Sequence, residues 1–187
     1  MLNIALEGID NAGKTTLSKK LVDDLKKQNI KVVISKELTT DIGQIIKTSF
    51  KENIKLSPIQ KTLLFASDRL QRYEELQKQN IDVVIWDRYV HSALVYREME
   101  NCDIAWVKQV NSVFSKADLN IYLEVDIDES INRGEKANKP CPYTKEQLEK
   151  CQTIYKKYIE NDELISFDST KDYDLILELI IKKINEK

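Results

Sequence analysis

Arginine is scarce in this chain. Of its 29 basic residues only Arg69, Arg72, Arg88, Arg97 and Arg133 are arginine, and the other 24 are lysine. Where lysine supplies the ordinary surface charge, an arginine is a candidate for planar, bidentate contacts to phosphates or bases that an ammonium cannot copy. A plain surface salt bridge is the alternative for each of them. An excess of either charge is also missing: the formal net charge is −2. No global positive field draws such a chain to nucleic acid or to a membrane surface, so an anionic ligand has to be held by local sites. No apolar run approaches the roughly 20 residues of a membrane span. The first apolar stretch, Leu2 to Leu6, leads straight into a glycine loop and reads as a first strand, not a secretion signal. Cysteine is sparse and odd in number. Cys102, Cys141 and Cys151 form no CxxC pair, which argues against a disulfide framework or a zinc site and for a reducing, cytoplasmic setting. The single histidine, His91, reads as a solvated loop residue.

What remains is the composition of one globular domain, 42% apolar and 32% charged over 187 residues, enough chain for its own core. Short Val- and Ile-rich runs alternate with amphipathic stretches. The runs are Asn3–Leu6, Lys31–Ser35, Asp82–Trp86, Leu119–Val125 and Leu164–Phe167. They do not alternate strictly, as expected of strands buried on both faces. Between them Leu17, Leu21, Val22 and Leu25 share a helical face. Ser57 caps another helix, with Pro58 at its first position and Leu63, Leu64, Leu70 and Tyr73 continuing it. Trp106, Val110, Val113 and Phe114 mark a further one. Thr144 and Gln147 have capping-box spacing ahead of Leu148, Cys151 and Tyr155, and Leu175, Leu179 and Ile180 line the last. Strands alternating with helices predict an α/β fold: a five-stranded parallel sheet with helices on both faces, in a single domain spanning 1–187. Gly134–Tyr143 has no clear pattern; it is either a short loop between helices or a lid, taken as about 133–143.

Gly8-Ile9-Asp10-Asn11-Ala12-Gly13-Lys14-Thr15 matches G-x-x-x-x-G-K-[ST], the P-loop of nucleoside triphosphate-binding proteins. The glycines let backbone N–H groups turn inward on phosphate oxygens at the start of a helix. Lys14 reaches the β- and γ-phosphates, and the Thr15 hydroxyl is a Mg²⁺ ligand. The loop lies between a strand and an amphipathic helix, as the motif requires, so it predicts ATP or GTP binding. The third strand runs into Asp87-Arg88. A carboxylate there suits Mg²⁺ or its waters, and Arg88 would reach an acceptor phosphate at the carboxyl edge of the sheet.

These residues resemble the thymidylate (dTMP) kinase family. The similarity lies in the P-loop segment Glu7–Thr16, the helix segment Leu64-Phe65-Ala66-Ser67-Asp68-Arg69, and Asp87-Arg88-Tyr89-Val90-His91-Ser92. It continues in the strand Ile121–Val125 and in Phe167-Asp168-Ser169-Thr170, in order from residue 2 to about 180. The resemblance implies transfer of the γ-phosphate of Mg·ATP to dTMP, giving dTDP and ADP, in a cytoplasmic homodimer whose partners are small nucleotides. It assigns ATP to Gly8, Asn11, Ala12, Gly13, Lys14, Thr15, Thr16 and Arg133, and Mg²⁺ to Thr15 and Asp87. Catalysis falls to Lys14, Asp87, Arg88 and Arg133. On the acceptor side, Phe65 would stack on the pyrimidine and Arg69 would donate to its O4. Asp10 would take the sugar 3′-hydroxyl, and Tyr96 would crowd the 2′ position. Arg88, Ser92, Glu37 and Tyr143 complete that set.

An acceptor phosphate is ionised near neutrality, its second pKa being about 6, so such a kinase needs no general base. Glu37 keeps a second reading open, because deoxynucleoside kinases of the same fold use a glutamate there as base on a 5′-hydroxyl. Preference for another base is a further alternative, as is a nucleotide-binding relative with a weak lid. The chain also departs from the family's usual pattern. Lys36 and Leu38, not arginine, flank Glu37. No arginine follows Arg133, leaving Lys136 and Lys139 as lid cations, and Pro140 and Pro142 stiffen the lid around Cys141.

Overall fold

The computed structural model describes residues 1–139, 141–168 and 170–186. Pro140, named above in the lid, and Ser169, named above in the segment that carries the resemblance, lie outside the described residues. Five strands form one sheet: β1 (Leu2–Glu7), β2 (Val32–Lys36), β3 (Val83–Asp87), β4 (Leu119–Glu124) and β5 (Ile165–Asp168). All pair in parallel, in the order β2-β3-β1-β4-β5. The predicted sheet is therefore present, with no strand end shifted by more than one residue; β1 gains Glu7 and β3 gains Asp87, both of which matter below.

The strands sort their side chains by parity. Leu2, Ile4, Leu6, Val83 and Ile85 join one apolar cluster, which also holds Leu17, Leu21 and Leu25 of α1 (Lys14–Lys27) and Ile176 and Ile180 of α8 (Tyr173–Asn185). Ala5, Val84 and Trp86 point the other way, into a smaller cluster with Ala66 and Leu76 of α3 (Pro58–Gln77) and with Phe114. Helices thus cover both faces. Continuous apolar strands follow from this, since neither face meets water.

The predicted caps form. Ser57 and Gln60 close a capping box on α3 with Pro58 inside it, and Thr144 and Gln147 do the same on α7 (Lys145–Glu160). Each such cap is worth about 1 kcal/mol. Three helices lie on stretches not marked above: α2 (Asp41–Lys51), α4 (Val90–Met99) and α6 (Ile127–Lys136). Thr40 and Asp126 cap α2 and α6 through their side chains. The predicted lid at 133–143 is shorter than expected, because residues up to Lys136 are helical. The helix expected over Trp106–Phe114 is α5 (Ile104–Asn111), and Phe114 lies beyond its end. His91 is not a solvated loop residue. It sits buried in the first turn of α4, edge-on to Tyr158 at 5.2 Å, with Nε2 3.5 Å from the Glu163 carboxylate.

In this strand order β1 is flanked by β3 and β4, so the crevice beyond its carboxyl end is where an open α/β sheet receives ligands. The loop after β1 is the P-loop.

Candidate active site

The loop from Gly8 to Thr15 folds as its glycines demand. Gly8 has φ 141° and Gly13 φ 95°, a region that side-chain-bearing residues rarely adopt. A Cβ on Gly8 would also lie 2.9 Å from the Leu123 carbonyl of the neighbouring strand. Lys14 opens α1 and is buried, its Nζ donating to the carbonyls of Ile9 at 2.6 Å and Gly8 at 3.1 Å. Burial, together with the like charge of Arg88, pulls the Lys14 ammonium down to about 7 against the opposing pull of Asp87, Asp10 and Glu7. The Thr15 hydroxyl donates to the Asp87 carboxylate at 2.6 Å. Ala12 is buried in the loop floor and Thr16 is exposed on α1.

At the rim, Arg88 follows β3 with φ 76°, an uncommon conformation for a bulky residue and a mark of imposed strain. Its Nη1 donates to the Gly8 carbonyl at 2.9 Å and to Ser92 Oγ at 3.2 Å, and its Nη2 pairs with Asp10. Burial alone would raise the Asp10 carboxyl, but Arg88, Lys14 and a bond from the Cys141 thiol hold it below its ordinary value. The Arg88 guanidinium lies 5.0 Å from the centre of the Tyr96 ring, and the Tyr143 ring lies tilted against Tyr96 with centres 5.1 Å apart. The Tyr96 hydroxyl is buried without a hydrogen-bond partner among the described residues.

Beside the rim lies a second polar group. Glu37 directly follows β2 and accepts from Arg69 Nη2 at 2.9 Å, while Arg69 Nη1 donates to Asn111 Oδ1 at 2.8 Å. Arg69 is buried between these partners and the rings of Phe114 and Tyr89. Burial raises the Glu37 carboxyl above its ordinary value, outweighing the opposing charges of Arg69 and Arg88. Phe65 lies one turn before Arg69 on α3. It is half-buried and belongs to neither apolar cluster, so it is not a core aromatic. Asp68, also on α3, ties down the segment after Glu37: it accepts from Leu38 N at 2.7 Å and Thr40 Oγ1 at 2.5 Å.

A cavity of about 200 Å³ opens over the loop, floored by Lys14 and Thr15, edged by Asp87 and Arg88, and roofed by Lys139, Cys141 and Pro142. The roof is carried by α6, which rests on the loop. Ser130 Oγ donates to the Asp10 carbonyl at 2.7 Å, and a Cβ on Gly134 would meet Asn11 Nδ2 at 2.5 Å and the Lys139 carbonyl at 2.9 Å.

A family model described as thymidylate kinase matches residues 6–180 of the chain. This chain belongs to the thymidylate kinase family. A probable thymidylate kinase of Sulfurisphaera tokodaii is 35% identical over 158 positions, covering 84% of this chain and 80% of its own length. Probable thymidylate kinase 1 of Saccharolobus solfataricus is 34% identical over 98% of this chain and 96% of its own length. A third probable thymidylate kinase, from Methanococcus aeolicus, is 32% identical with the same coverage.

The expected residues of this thymidylate kinase family member fall into four groups, of which the first, Gly8, Ala12, Gly13 and Thr16, belongs to the loop and the start of α1 without lining the cavity. Asp10, Asn11, Lys14, Thr15, Asp87 and Arg88 all border the cavity. Glu37, Arg69, Ser92, Tyr96 and Tyr143 adjoin Arg88 directly or through one neighbour, and Phe65 lies one helical turn from Arg69. Arg133 is not brought in: its Nε pairs with Glu129 at 2.8 Å on the surface of α6, and Lys139 is the lysine that borders the cavity. Asn111 and Ser130 were not singled out from the sequence, and Asp68 and Tyr155, though named in their helices, were given no role. Each acts by holding another residue, and a spacing motif carries no signal of that. For Mg²⁺ the donor set fits. Thr15 and Asp87 offer two hard oxygen atoms side by side, and among the described residues no cluster of three or more His, Cys, Asp or Glu competes for a cation. One carboxylate plus substrate phosphates is the usual way Mg²⁺ is held.

Two expected results arise from this geometry. Triphosphate anions beside Lys14 raise its pKa from about 7, so at pH 8 nucleotide binding takes up close to one proton and at pH 6 almost none. Titration calorimetry in two buffers of different ionisation enthalpy measures this uptake. Gly134→Ala forces α6 away from Asn11 and the Lys139 carbonyl, raising KM for the nucleotide several-fold and lowering Tm by a few degrees, about the shift of a 1 kcal/mol loss. Initial-rate kinetics and a thermal melt check it.

Proposed function

We propose that this chain transfers the γ-phosphate of ATP to dTMP, producing dTDP and ADP. The observation that carries the reading is the placement of Arg88. Its guanidinium bonds to the Gly8 carbonyl of the P-loop and faces the same cavity as Lys14, so an anion held by Arg88 lies next to one held by the loop. The triphosphate occupies the inward N–H groups and Lys14; the acceptor phosphate takes Arg88. Tyr96 and Tyr143 wall the acceptor sugar, Asp10 accepts from its 3′-hydroxyl, and Phe65 stacks on the base, a contact worth about 1–3 kcal/mol.

The nucleophile is an acceptor phosphate oxygen that already carries negative charge, so no residue has to remove a proton from it. Catalysis is then alignment and charge neutralisation. Lys14 and Arg88 approach the transferring group from two sides, and Lys139 supplies the lid charge. The Thr15 hydroxyl and the Asp87 carboxylate would hold Mg²⁺, which would supply further charge neutralisation. Glu37 holds Arg69 in place in this reading and takes no proton.

An acceptor panel tests the proposal: dTMP, dUMP, dGMP and thymidine, each with Mg·ATP and product separation by chromatography. dTMP is converted and thymidine is not. Conversion of thymidine alone contradicts the reading and makes Glu37 the base. The reading extends to a single cytoplasmic kinase domain that forms a homodimer. Ile59, Leu63 and Leu70 recur at helical spacing and are exposed on one face of α3, an apolar face of the kind that pairs copies. Sedimentation equilibrium distinguishes dimer from monomer. Among the described residues no helix is long and apolar enough to cross a membrane.

A further inference from the structure

Glu7 ends β1 as a fully buried carboxylate. Both of its oxygens serve Arg88. Oε1 accepts from the Tyr89 N–H at 3.0 Å, the peptide that directly follows Arg88, while Oε2 accepts from the Ser92 hydroxyl and from Tyr155 OH at 3.3 Å. Ser92 has one hydroxyl proton. Given to Glu7, it leaves the Ser92 lone pairs to accept from Arg88 Nη1 at 3.2 Å, with Tyr155 OH a further 3.0 Å away. One carboxylate therefore fixes the chain just after Arg88, whose backbone stands at φ 76°, and orients its guanidinium through a hydroxyl. Tyr155 comes from α7, the helix that follows the lid, so the same carboxylate ties that helix to the rim.

We propose that Glu7, acting through Ser92 and Tyr155, is the positioning residue that sets the Arg88 guanidinium at the P-loop rim for the acceptor phosphate. This rests on the acceptor role of Arg88 given above. A glutamine at position 7 keeps the shape but loses the charge, and with its oxygen on Tyr89 N–H it turns an N–H toward Ser92 and Tyr155, so neither hydroxyl keeps the carboxylate acceptor that sets its direction and the Ser92 oxygen presented to Arg88 is no longer fixed. The effect should fall on the acceptor more than on ATP, because the loop backbone and Lys14 are left in place and Glu7 is the weakest of the three carboxylates that favour the Lys14 charge.

The test measures kcat and KM for dTMP, together with the Kd for ATP in the absence of acceptor and the Tm, for Glu7→Gln, Ser92→Ala, Ser92→Thr, Tyr155→Phe and Arg88→Ala. Glu7→Gln and Ser92→Ala are expected to lower kcat/KM for dTMP by tenfold or more, with ATP Kd within threefold of the parent. Ser92→Thr, which keeps the hydroxyl, restores most of the loss, and Tyr155→Phe loses a few-fold. Glu7→Gln adds nothing further in the Arg88→Ala background. If Glu7→Gln fails to fold, the near-isosteric Ser92 and Tyr155 variants decide alone. A dTMP kcat/KM within twofold of the parent in the Glu7→Gln, Ser92→Ala and Tyr155→Phe variants, while Arg88→Ala collapses it, overturns the positioning role and leaves the acceptor role of Arg88 standing. Arg88→Ala without effect on dTMP overturns both. Equal losses for ATP and dTMP accompanied by a fallen Tm mark a structural carboxylate and also overturn the proposal.

Discussion

Replacing Lys14 with methionine lowers kcat by about three orders of magnitude, the scale expected when one preorganised cation is removed from a phosphoryl-transfer site. The fold survives the change. Lys14 is buried and its ammonium is already pulled down to about 7, so the folded state pays to keep the charge there. Between pH 7 and the ordinary lysine value near 10.5, the unfolded chain binds more protons than the folded one, and stability rises with pH across that window. The methionine variant lacks this rise and is at least as stable at neutral pH. Initial rates and denaturant titrations at pH 7 and pH 9 separate the two effects: activity gone, stability retained, pH slope flattened. A variant that loses activity only because it unfolds would show the opposite stability change.

Arg88→Ala is expected to reduce kcat/KM for dTMP by about a thousandfold, while the affinity for ATP stays within a few-fold. Arg88→Lys recovers only part of this, since a point charge cannot reproduce a fork that spans the Gly8 carbonyl, Ser92 and Asp10 together. A second consequence tests the same geometry from the other ligand. Arg88 is the largest like-charge influence on Lys14. Its removal moves the Lys14 pKa upward, so the pH at which nucleotide binding takes up a proton shifts upward too. Rate assays give the first effect and calorimetry the second. An arginine that served only as a surface ion pair would produce neither.

How much of this could be read from the sequence depends on what kind of contact a residue makes. The P-loop was legible because its glycines, lysine and threonine do their work through local backbone geometry, and spacing encodes local geometry. The five strands were legible because burial on both faces leaves apolar runs of fixed length. The helices differ. α2 carries Ile42, Ile45, Ile46 and Phe50 at helical spacing behind its Thr40 cap, a legible stripe left unmarked above, whereas α4 is buried on several sides (His91, Ser92, Leu94 and Val95 among them) and shows no simple stripe. α6 hides its start in Asp126, an acidic cap within an acidic stretch. Gly134 reads as a loop residue, yet it lies inside α6, and it is glycine where a Cβ would meet Asn11 and the Lys139 carbonyl.

At the site, sequence could name groups but not pairings. Arg69 was expected to face a base, and its immediate partners turn out to be Glu37 and Asn111. Asn111 lies 42 residues away on α5, where no motif points to it. Arg133, conspicuous as a rare arginine near the lid, bonds instead to its helical neighbour Glu129, and Lys139 roofs the cavity. Rarity identified which residues to watch. Tertiary packing decided which of them meet.

The most direct measurement is a crystal structure with dTMP and a non-hydrolysable ATP analogue bound together. The account places the acceptor phosphate within hydrogen-bond distance of the Arg88 guanidinium, the γ-phosphate on Lys14, and the thymine ring against Phe65. A dTMP found with its phosphate away from Arg88, or its ring on a face that Phe65 does not touch, contradicts it.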